Sequence, residues 1–323
     1  MTASNSFSVA VLDDYQRVAR GLADWASLSP QAETVFFHDH AGEGDQLIAR
    51  LRPFNILVLM RERTRIDAAT IERLPKLRLI VTVGAWNAAI DMDAAQRKGI
   101  VVCGTEGGGP HGPSALTWAL VLAITRNLFA EAASVKAGGW QVSLGVELEG
   151  KTLGLLGLGK LGQAVAGYGL AFGMRAIAWS QNLTPEKARE AGAEWVEKDE
   201  LFRRSDVLSI HYKLSDRSRG IVGPLELGLM KPTAYLINTS RGPLIVEEAL
   251  VEMLQARRIA GAALDVFDRE PLPEAHPYRF LPNVLATPHV GYVTEETYRR
   301  AHPQIVDDIK AWLGGDPIRV LNG

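Results

Sequence analysis

Short apolar runs alternate with stretches of helical periodicity along almost the whole chain. Runs such as SVAVLD and RLIVTV are rich in aliphatic and β-branched residues, which predicts buried strands. A second series of such runs extends from KTLGLLG to NVLATP. Strands that alternate with helices in this way predict an α/β fold with two Rossmann-like, doubly wound parallel-sheet domains and a cleft between them.

The segments that join the two series predict the domain boundaries. A stretch from about Pro113 to Ala137 is rich in Ala and Leu and contains no internal proline, which predicts one long helix. The glycine- and proline-rich turn from Gly104 to Ser114 predicts one crossing between the domains, and the final helical segment is too short to be a domain. We therefore expect a discontinuous first domain, residues 1–104 with 294–323, and a second domain, residues 105–293.

Composition and charge exclude some classes of partner. The chain has 35 Lys+Arg against 37 Asp+Glu, so neither nucleic acid nor an anionic membrane surface is an expected partner. The first residues lack the cationic and apolar regions of a signal peptide, and Lys160, Gln163 and several glycines interrupt the most apolar internal region, which argues against a membrane span. With a single cysteine, Cys103, no intrachain disulfide can form, so we expect a cytoplasmic setting, and because Cys103 lies in an apolar run we expect a core thiol. No metal site is predicted.

A glycine motif lies between an apolar strand and an Ala-rich helical run. In GLGKLG, Gly157 permits a tight turn, Gly159 lets backbone N–H groups approach a pyrophosphate, and Gly162 allows close helix–strand packing. The residues between them, Lys160 and Leu161, are predicted cofactor contacts as well. The alternative is a glycine-rich turn that binds no ligand, but the strand–turn–helix–strand context favours a dinucleotide site.

The next strand, RAIAWS, ends without the acid that usually binds the adenosine ribose in this fold. Its last residue is Ser180, 18 positions after Gly162. A carboxylate there would repel the extra phosphate of NADP, so we favour NADP(H) over NAD(H), with Ser180 and Gln181 near the 2′-phosphate. The alternative is that Ser180 and Asn182 hydrogen-bond the ribose of NAD themselves.

Three later segments place a chemically competent residue just past an apolar strand. They are LINTSRGPL, LDVFDREPLP and LATPHVGY. With the glycine motif, these segments resemble the D-2-hydroxyacid dehydrogenase family, whose NAD(P)-dependent members include enzymes similar to glyoxylate and hydroxypyruvate reductases. The resemblance extends from RLIVTVGAWNAAID to TPHVGY. It implies an oxidoreductase that transfers a hydride between NAD(P)H and a 2-oxo acid or D-2-hydroxy acid.

The resemblance also implies roles for three of these residues. Arg241 matches the family's substrate-binding arginine, Glu270 its buried carboxylate and His289 its general acid/base. The chemistry agrees, because a guanidinium can hold a 2-oxo acid with two forked hydrogen bonds and an imidazole can protonate the oxygen that becomes negative. Glu270 would orient the imidazole and extend the pH range over which reduction works. Taken singly, each residue could instead be an ion-pair partner, a turn residue or a strand cap.

Other positions follow from the same resemblance. The loop GAWN resembles the family loop whose backbone N–H groups hold the substrate carboxylate, here at Gly84 and Ala85. Trp86 and Asn87 are expected at the variable end of the substrate, although a core-packed Trp86 is an equal alternative. Arg61 matches a family position that is often arginine. Further expected cofactor contacts are His211, Lys213, Thr239 and Asp265.

Two departures from the family pattern bear on activity. Lys213 stands where proline is frequent, beside the adenosine in relatives, so its ammonium group could meet a 2′-phosphate or could simply be solvated. Glu270 stands where the formate-oxidising members carry glutamine, which argues against formate oxidation. Glyoxylate, hydroxypyruvate and bulkier 2-oxo acids all remain open as substrates.

The resemblance further implies a homodimer. The helix after Pro113 and the arm GGWQVSLGVELEG would cross between subunits and bury Trp140 and Val142. A second class of function is also open, since some relatives are dinucleotide-sensing co-repressors that keep the same three residues. Their disordered extensions are not found in this sequence, which favours the enzyme.

Overall fold

The structure is a computed structural model that describes residues 6–106, 109 and 111–323. The chain forms two compact units. One comprises Met1–Gly108 with Val293–Gly323, and the other comprises Gly109–Tyr292.

The first unit is built on a five-stranded parallel sheet in the order β2-β1-β3-β4-β5. Its strands are β1 Phe7–Val11, β2 Ala32–Phe36, β3 Ile56–Leu59, β4 Leu79–Thr82 and β5 Val101–Gly104. Strands β3 and β4 are buried along their whole length, as expected for central strands covered on both faces. The helices of this unit are α1 Ala19–Leu22, α2 Gly44–Leu51, α3 Ala68–Glu72, α4 Met92–Arg97 and α12 Glu295–Leu313.

The segment after α12 is hydrogen-bonded to β5, the edge strand of this sheet. The Gly104 amide donates to the Arg319 carbonyl over 3.0 Å, and the Leu321 amide donates to the Val102 carbonyl over 2.7 Å. Arg319 also donates to the fully buried Asp308 over 2.9 Å. Burial raises the pKa of Asp308 to about 7, against the opposing effect of the Arg319 guanidinium.

Cys103 of β5 is fully buried beside this segment. Burial raises the pKa of its thiol to about 12, so the thiolate needed for nucleophilic chemistry is not formed near neutral pH. The prediction of a core thiol is confirmed.

The second unit is built on a seven-stranded parallel sheet in the order β12-β11-β10-β9-β6-β7-β8. Its strands are β6 Thr152–Leu156, β7 Arg175–Trp179, β8 Glu194–Trp195, β9 Val207–Ile210, β10 Tyr235–Asn238, β11 Gly261–Leu264 and β12 Val284–Ala286. Its helices are α5 His111–Thr125, α6 Leu128–Lys136, α7 Lys160–Ala171, α8 Pro185–Glu190, α9 Lys198–Arg204, α10 Pro224–Leu229 and α11 Glu247–Gln255. Two parallel α/β sheets confirm the predicted fold class.

The strand order of the second sheet reverses at the β6/β9 pair. Doubly wound sheets bind ligands outside the carboxyl ends of the strands at such a point.

The single long helix predicted between Pro113 and Ala137 is wrong. Helix α5 ends at Thr125 and α6 begins at Leu128, with a bend of 65° between them. Asn127 causes the break, because it adopts the left-handed conformation (φ 49°) and donates its amide to the Leu144 carbonyl over 3.3 Å. Asparagine tolerates this conformation better than most residues, so the signal was an asparagine next to Arg126 between two apolar runs.

Within the described residues, no single helix is long and apolar enough to cross a membrane. The bent pair α5 and α6 passes that test together, by length and composition only.

Candidate active site

The glycine motif forms the turn between β6 and α7. Gly157 has φ +99°, and a Cβ on it would lie 2.5 Å from the His211 carbonyl oxygen. A Cβ on Gly162 would collide with the Gly157 carbonyl. Both positions therefore require glycine for packing, whereas Gly159, the N-cap of α7, has open space where its Cβ would be.

The start of α7 suits a pyrophosphate. No side chain caps this end of the helix, and the backbone N–H groups of its first turn begin at Lys160 and Leu161. Free N–H groups and the positive end of the helix dipole attract phosphate, and the space above Gly159 leaves room for it. The residues at this turn therefore fit a dinucleotide.

The loop after β9 covers the same turn. His211 presses its carbonyl against Gly157, and its Nε2 lies 2.8 Å from the Ser209 hydroxyl. Burial lowers the pKa of His211 to about 4, so its imidazole is neutral near physiological pH. The next residues differ in exposure, since Tyr212 is half-buried and Lys213 is exposed.

Strand β7 ends at Trp179, one residue earlier than the sequence indicates, and Ser180 and the exposed Gln181 follow it. The backbone amide of Gln181 donates to the Tyr212 hydroxyl over 3.3 Å. Sequence reasoning missed Tyr212, because no motif marks a residue that belongs to another strand's loop.

The three segments that carry Arg241, Glu270 and His289 follow β10, β11 and β12, which are neighbours in the sheet. Arg241 comes three residues after β10, and its backbone carbonyl accepts a hydrogen bond from the side-chain amide of Asn238 over 2.9 Å. Its guanidinium donates to the Ser240 carbonyl over 2.7 Å. The predicted cofactor contact Thr239 shares a hydroxyl–hydroxyl hydrogen bond of 2.7 Å with Thr117 of α5.

Glu270 and His289 form a close pair. Glu270 Oε2 lies 2.6 Å from His289 Nδ1, and Glu270 Oε1 accepts the Phe267 amide over 3.0 Å. A carboxylate only accepts hydrogen bonds, so Nδ1 carries a hydrogen and Nε2 remains for proton exchange with a ligand. His289 has φ 52°, a left-handed conformation in which histidine is several-fold enriched over most residues.

Asp265 holds the loop that carries His289. Its carboxylate accepts three hydrogen bonds, from the Thr287 hydroxyl at 2.6 Å and from the amides of Val290 and Gly291 at 2.9 Å each. Burial raises the pKa of Asp265, and these three donors oppose that rise. Both carboxylate oxygens of Asp265 are thus engaged within the protein. Asp265 was predicted from the sequence as a cofactor contact, and its role in stabilising this loop was not predicted.

Gly242 joins the Arg241 loop to the Glu270 loop. A Cβ on Gly242 would collide with the Phe267 carbonyl and lie 2.5 Å from the Asp268 amide nitrogen. Because Phe267 also donates to Glu270, the spacing between Arg241 and Glu270 depends on this close backbone contact.

Comparison with known proteins identifies the family of this chain. The family described as "D-isomer specific 2-hydroxyacid dehydrogenase, NAD binding domain" matches residues 118–291. A glyoxylate reductase from Aeropyrum pernix is 40% identical over 260 residues, 78% of each chain. A D-3-phosphoglycerate dehydrogenase from Methanocaldococcus jannaschii is 38% identical over 84% of this chain and 52% of that protein, so this chain spans about half its length. The structure of a phosphoglycerate oxidoreductase from Vibrio cholerae has a TM-score of 0.89 at 39% identity, over 95% of this chain and 99% of that one.

The chain belongs to the D-2-hydroxyacid dehydrogenase family. The resemblance inferred from the motifs is confirmed, and the protein is an oxidoreductase with a nicotinamide-dinucleotide-binding domain.

The loop that was expected to bind substrate lies in the first unit of the dehydrogenase. Gly84 has φ +103°, and a Cβ on it would lie 3.0 Å from the Arg61 guanidinium. Arg61, itself in a left-handed conformation (φ 54°), is held by the Asn87 amide, which donates to its carbonyl over 2.7 Å. Asn87 is fully buried and also donates to the Thr82 hydroxyl, so its side chain stabilises the loop.

Two neighbouring residues of that loop point outward. Ala85 is exposed, and Trp86 is 59% exposed. The alternative of a core-packed Trp86 is therefore wrong, and the indole is available for contact with a ligand.

Proposed function

We propose that this dehydrogenase interconverts a 2-oxo acid and a D-2-hydroxy acid, with Arg241 binding the substrate, His289 as the acid/base and Glu270 orienting His289. The observation that carries the proposal is the 2.6 Å contact between Glu270 and His289. These two residues follow β11 and β12, and Arg241 follows the neighbouring strand β10. A histidine whose Nδ1 is engaged by a carboxylate has one defined nitrogen, Nε2, left for the substrate oxygen.

The residues divide the reduction among them. Arg241 holds the carboxylate and polarises the C2 carbonyl of the 2-oxo acid through a planar, forked set of N–H donors. A reduced nicotinamide, when bound at the dinucleotide turn, would supply the hydride to C2. As the C2 oxygen gains charge, protonated His289 donates its Nε2 hydrogen to it, and Glu270 stabilises the positive imidazole before the transfer. Oxidation of the hydroxy acid reverses the same proton transfer.

The loop of the first unit is a separate part of this proposal. The backbone N–H groups at Gly84 and Ala85 bind the substrate carboxylate, and Arg61 adds positive charge beside them. Trp86 contacts the variable end of the substrate, since its indole is exposed on the same loop. Asn87 maintains the loop and does not contact the substrate.

A panel of 2-oxo acids, from glyoxylate and hydroxypyruvate to bulkier aliphatic and aromatic members, tests the proposal. Each acid is assayed for oxidation of NADH and of NADPH in parallel, and the product is analysed for chirality. We expect reduction of at least one of these acids to the D-2-hydroxy acid. Binding of cofactor without reduction of any of them would contradict the proposed reaction.

We infer a preference for NADP(H). The residues between β7 and α8 include neither Asp nor Glu. Tyr212 contacts Gln181 there, and the exposed Lys213 is the next residue after Tyr212. A Ser180→Asp variant is expected to shift the ratio of kcat/KM for NADPH to that for NADH at least about tenfold toward NADH, because the new carboxylate repels a 2′-phosphate. An unchanged ratio in steady-state assays would show that the strand end does not select the cofactor.

We also infer a homodimer through α6 and the arm that follows it. Trp140 is 74% exposed and Leu144 is 94% exposed, although the arm is folded back on α6 by a 2.7 Å hydrogen bond from the Ser134 hydroxyl to the Trp140 carbonyl. Exposed apolar side chains on an ordered segment are typical of an interface.

The dimer is tested by a charge placed in this surface. Leu144→Glu is expected to shift the mass measured by light scattering toward the monomer, because a buried unpaired carboxylate opposes association. Leu225→Glu is the matched control, since Leu225 is 83% exposed on α10 of the same unit. A wild-type monomer, or equal dissociation of both variants, would contradict the proposed interface.

A further inference from the structure

Tyr212 is held at the end of β7 by two contacts. Its ring stacks on that of Trp179, the last residue of β7, with the planes 13° apart and the centroids 6.3 Å apart. Its hydroxyl accepts the Gln181 amide over 3.3 Å. Tyr212 follows β9, and β6 lies between β9 and β7 in the sheet, so the phenol reaches across the end of β6.

The end of β7 is the place where doubly wound sheets receive the adenosine ribose of a dinucleotide. The fold usually presents a carboxylate there, which accepts hydrogen bonds from the ribose hydroxyls. In this chain Ser180 and Gln181 follow the strand, and the fold brings the phenol of Tyr212 to the backbone amide of Gln181.

Tyr212 offers the opposite hydrogen-bonding character to a carboxylate. A phenol has one hydrogen to donate besides its acceptor lone pairs, and the Gln181 amide uses only a lone pair. Across the described residues the Tyr212 hydroxyl makes no other hydrogen bond, so its own hydrogen is left for a ligand. A phosphate accepts hydrogen bonds at every oxygen, which makes it the best match for that donor.

The charges around the phenol agree with an anionic ligand. Lys198 places its ammonium 5.9 Å from the centroid of the Trp179 ring and balances Glu226, which it contacts over 2.8 Å. Lys213, directly after Tyr212, has an exposed side chain. The phenol therefore lies beside a neutral strand end and an adjacent cation.

We propose that Tyr212 is a specificity-determining residue, whose hydroxyl donates a hydrogen bond to the 2′-phosphate of NADP(H). The phenol thus replaces the missing acid of β7 by a donor, and the choice of cofactor depends on it together with Ser180. This inference rests on the proposed preference for NADP(H) and names the side chain that produces it.

The test measures nucleotide binding to the cofactor-free protein by isothermal titration calorimetry, so that it does not depend on turnover. The probes are adenosine 2′,5′-bisphosphate and adenosine 5′-monophosphate, which differ only in the 2′-phosphate. We expect the wild type to bind the bisphosphate more tightly. Tyr212→Phe, which keeps the stacked ring, should weaken the bisphosphate roughly tenfold and change the monophosphate little, because a hydrogen bond to a charged group is lost.

Tyr168→Phe is the matched control, because Tyr168 lies on α7 and contacts Trp118 instead of the end of β7. It should leave the affinities for both nucleotides as in the wild type. In steady-state assays, Tyr212→Phe should raise the ratio of the KM for NADPH to that for NADH by a similar factor.

The outcomes distinguish failure of the Tyr212 hydroxyl as a phosphate donor from failure of the proposed reaction. Equal weakening of both nucleotides in Tyr212→Phe, or no weakening, overturns the role of the hydroxyl even if the enzyme reduces a 2-oxo acid. A wild type that binds the two nucleotides equally overturns the NADP(H) preference together with this inference, and leaves the proposed reaction standing.

Discussion

Replacing His289 with glutamine is expected to lower kcat for reduction of the preferred 2-oxo acid by about 10²–10⁴-fold, the range typical of a positioned general acid. Glutamine can fill much of the space beside Glu270, which now lies 2.6 Å from Nδ1, but it cannot supply a proton to the C2 oxygen. Steady-state kinetics measure the loss. Titration of the cofactor should show unchanged affinity, because the glycine turn and α7 are untouched.

His276 provides the control for this variant. It is also a histidine paired with a glutamate, with Nε2 3.1 Å from Glu247, but its Nδ1 accepts the Tyr278 amide and caps a short helical turn. His276→Gln should therefore retain most of the wild-type kcat. If His289→Gln turned over as fast as the wild type, another residue would have to be the acid, and the proposed mechanism would be wrong.

Replacing Gly242 with alanine is expected to lower kcat/KM about 10²-fold without removing any chemical group. The added methyl would collide with the Phe267 carbonyl, so the Arg241 loop or the Glu270 loop must move. A displacement of about 1 Å between substrate-binding and acid/base groups costs on the order of 10²-fold in rate. Kinetics should be measured well below the melting temperature, with circular dichroism to confirm that the variant is folded.

Gly228→Ala is the matched control for Gly242→Ala. Gly228 lies in α10, and a Cβ there would have nothing within 4 Å. Alanine in a helix is about 1 kcal/mol better than glycine, so this variant should be at least as stable as the wild type and equally active. A Gly242→Ala enzyme with wild-type kcat/KM would falsify the coupling of the two loops through this contact.

Much of the fold could be predicted from local pattern. Strands such as β3 and β4 are continuous apolar runs. The turn of Gly157 and Gly162 is recognisable from the spacing of its glycines, which the fold requires because a Cβ at either position would meet backbone. The break at Asn127 was not predicted, since the polar pair Arg126 and Asn127 between apolar residues fits a continuous helix as well as a left-handed break. The side chain of Asn87 was expected at the substrate, and no sequence signal shows that its amide is instead buried against Arg61 and Thr82.

The sequence by itself determined the α/β class, the dinucleotide turn and the order of Arg241, Glu270 and His289, because periodicity, glycine requirements and motif order are properties of short segments. Only the tertiary structure decided which loops touch. It set Gly242 against Phe267 and brought the Tyr212 hydroxyl to the Gln181 amide, 31 residues away in the chain. The physical reason is that these contacts depend on the order of strands in the sheet, which long-range packing sets and which no local pattern of residues records.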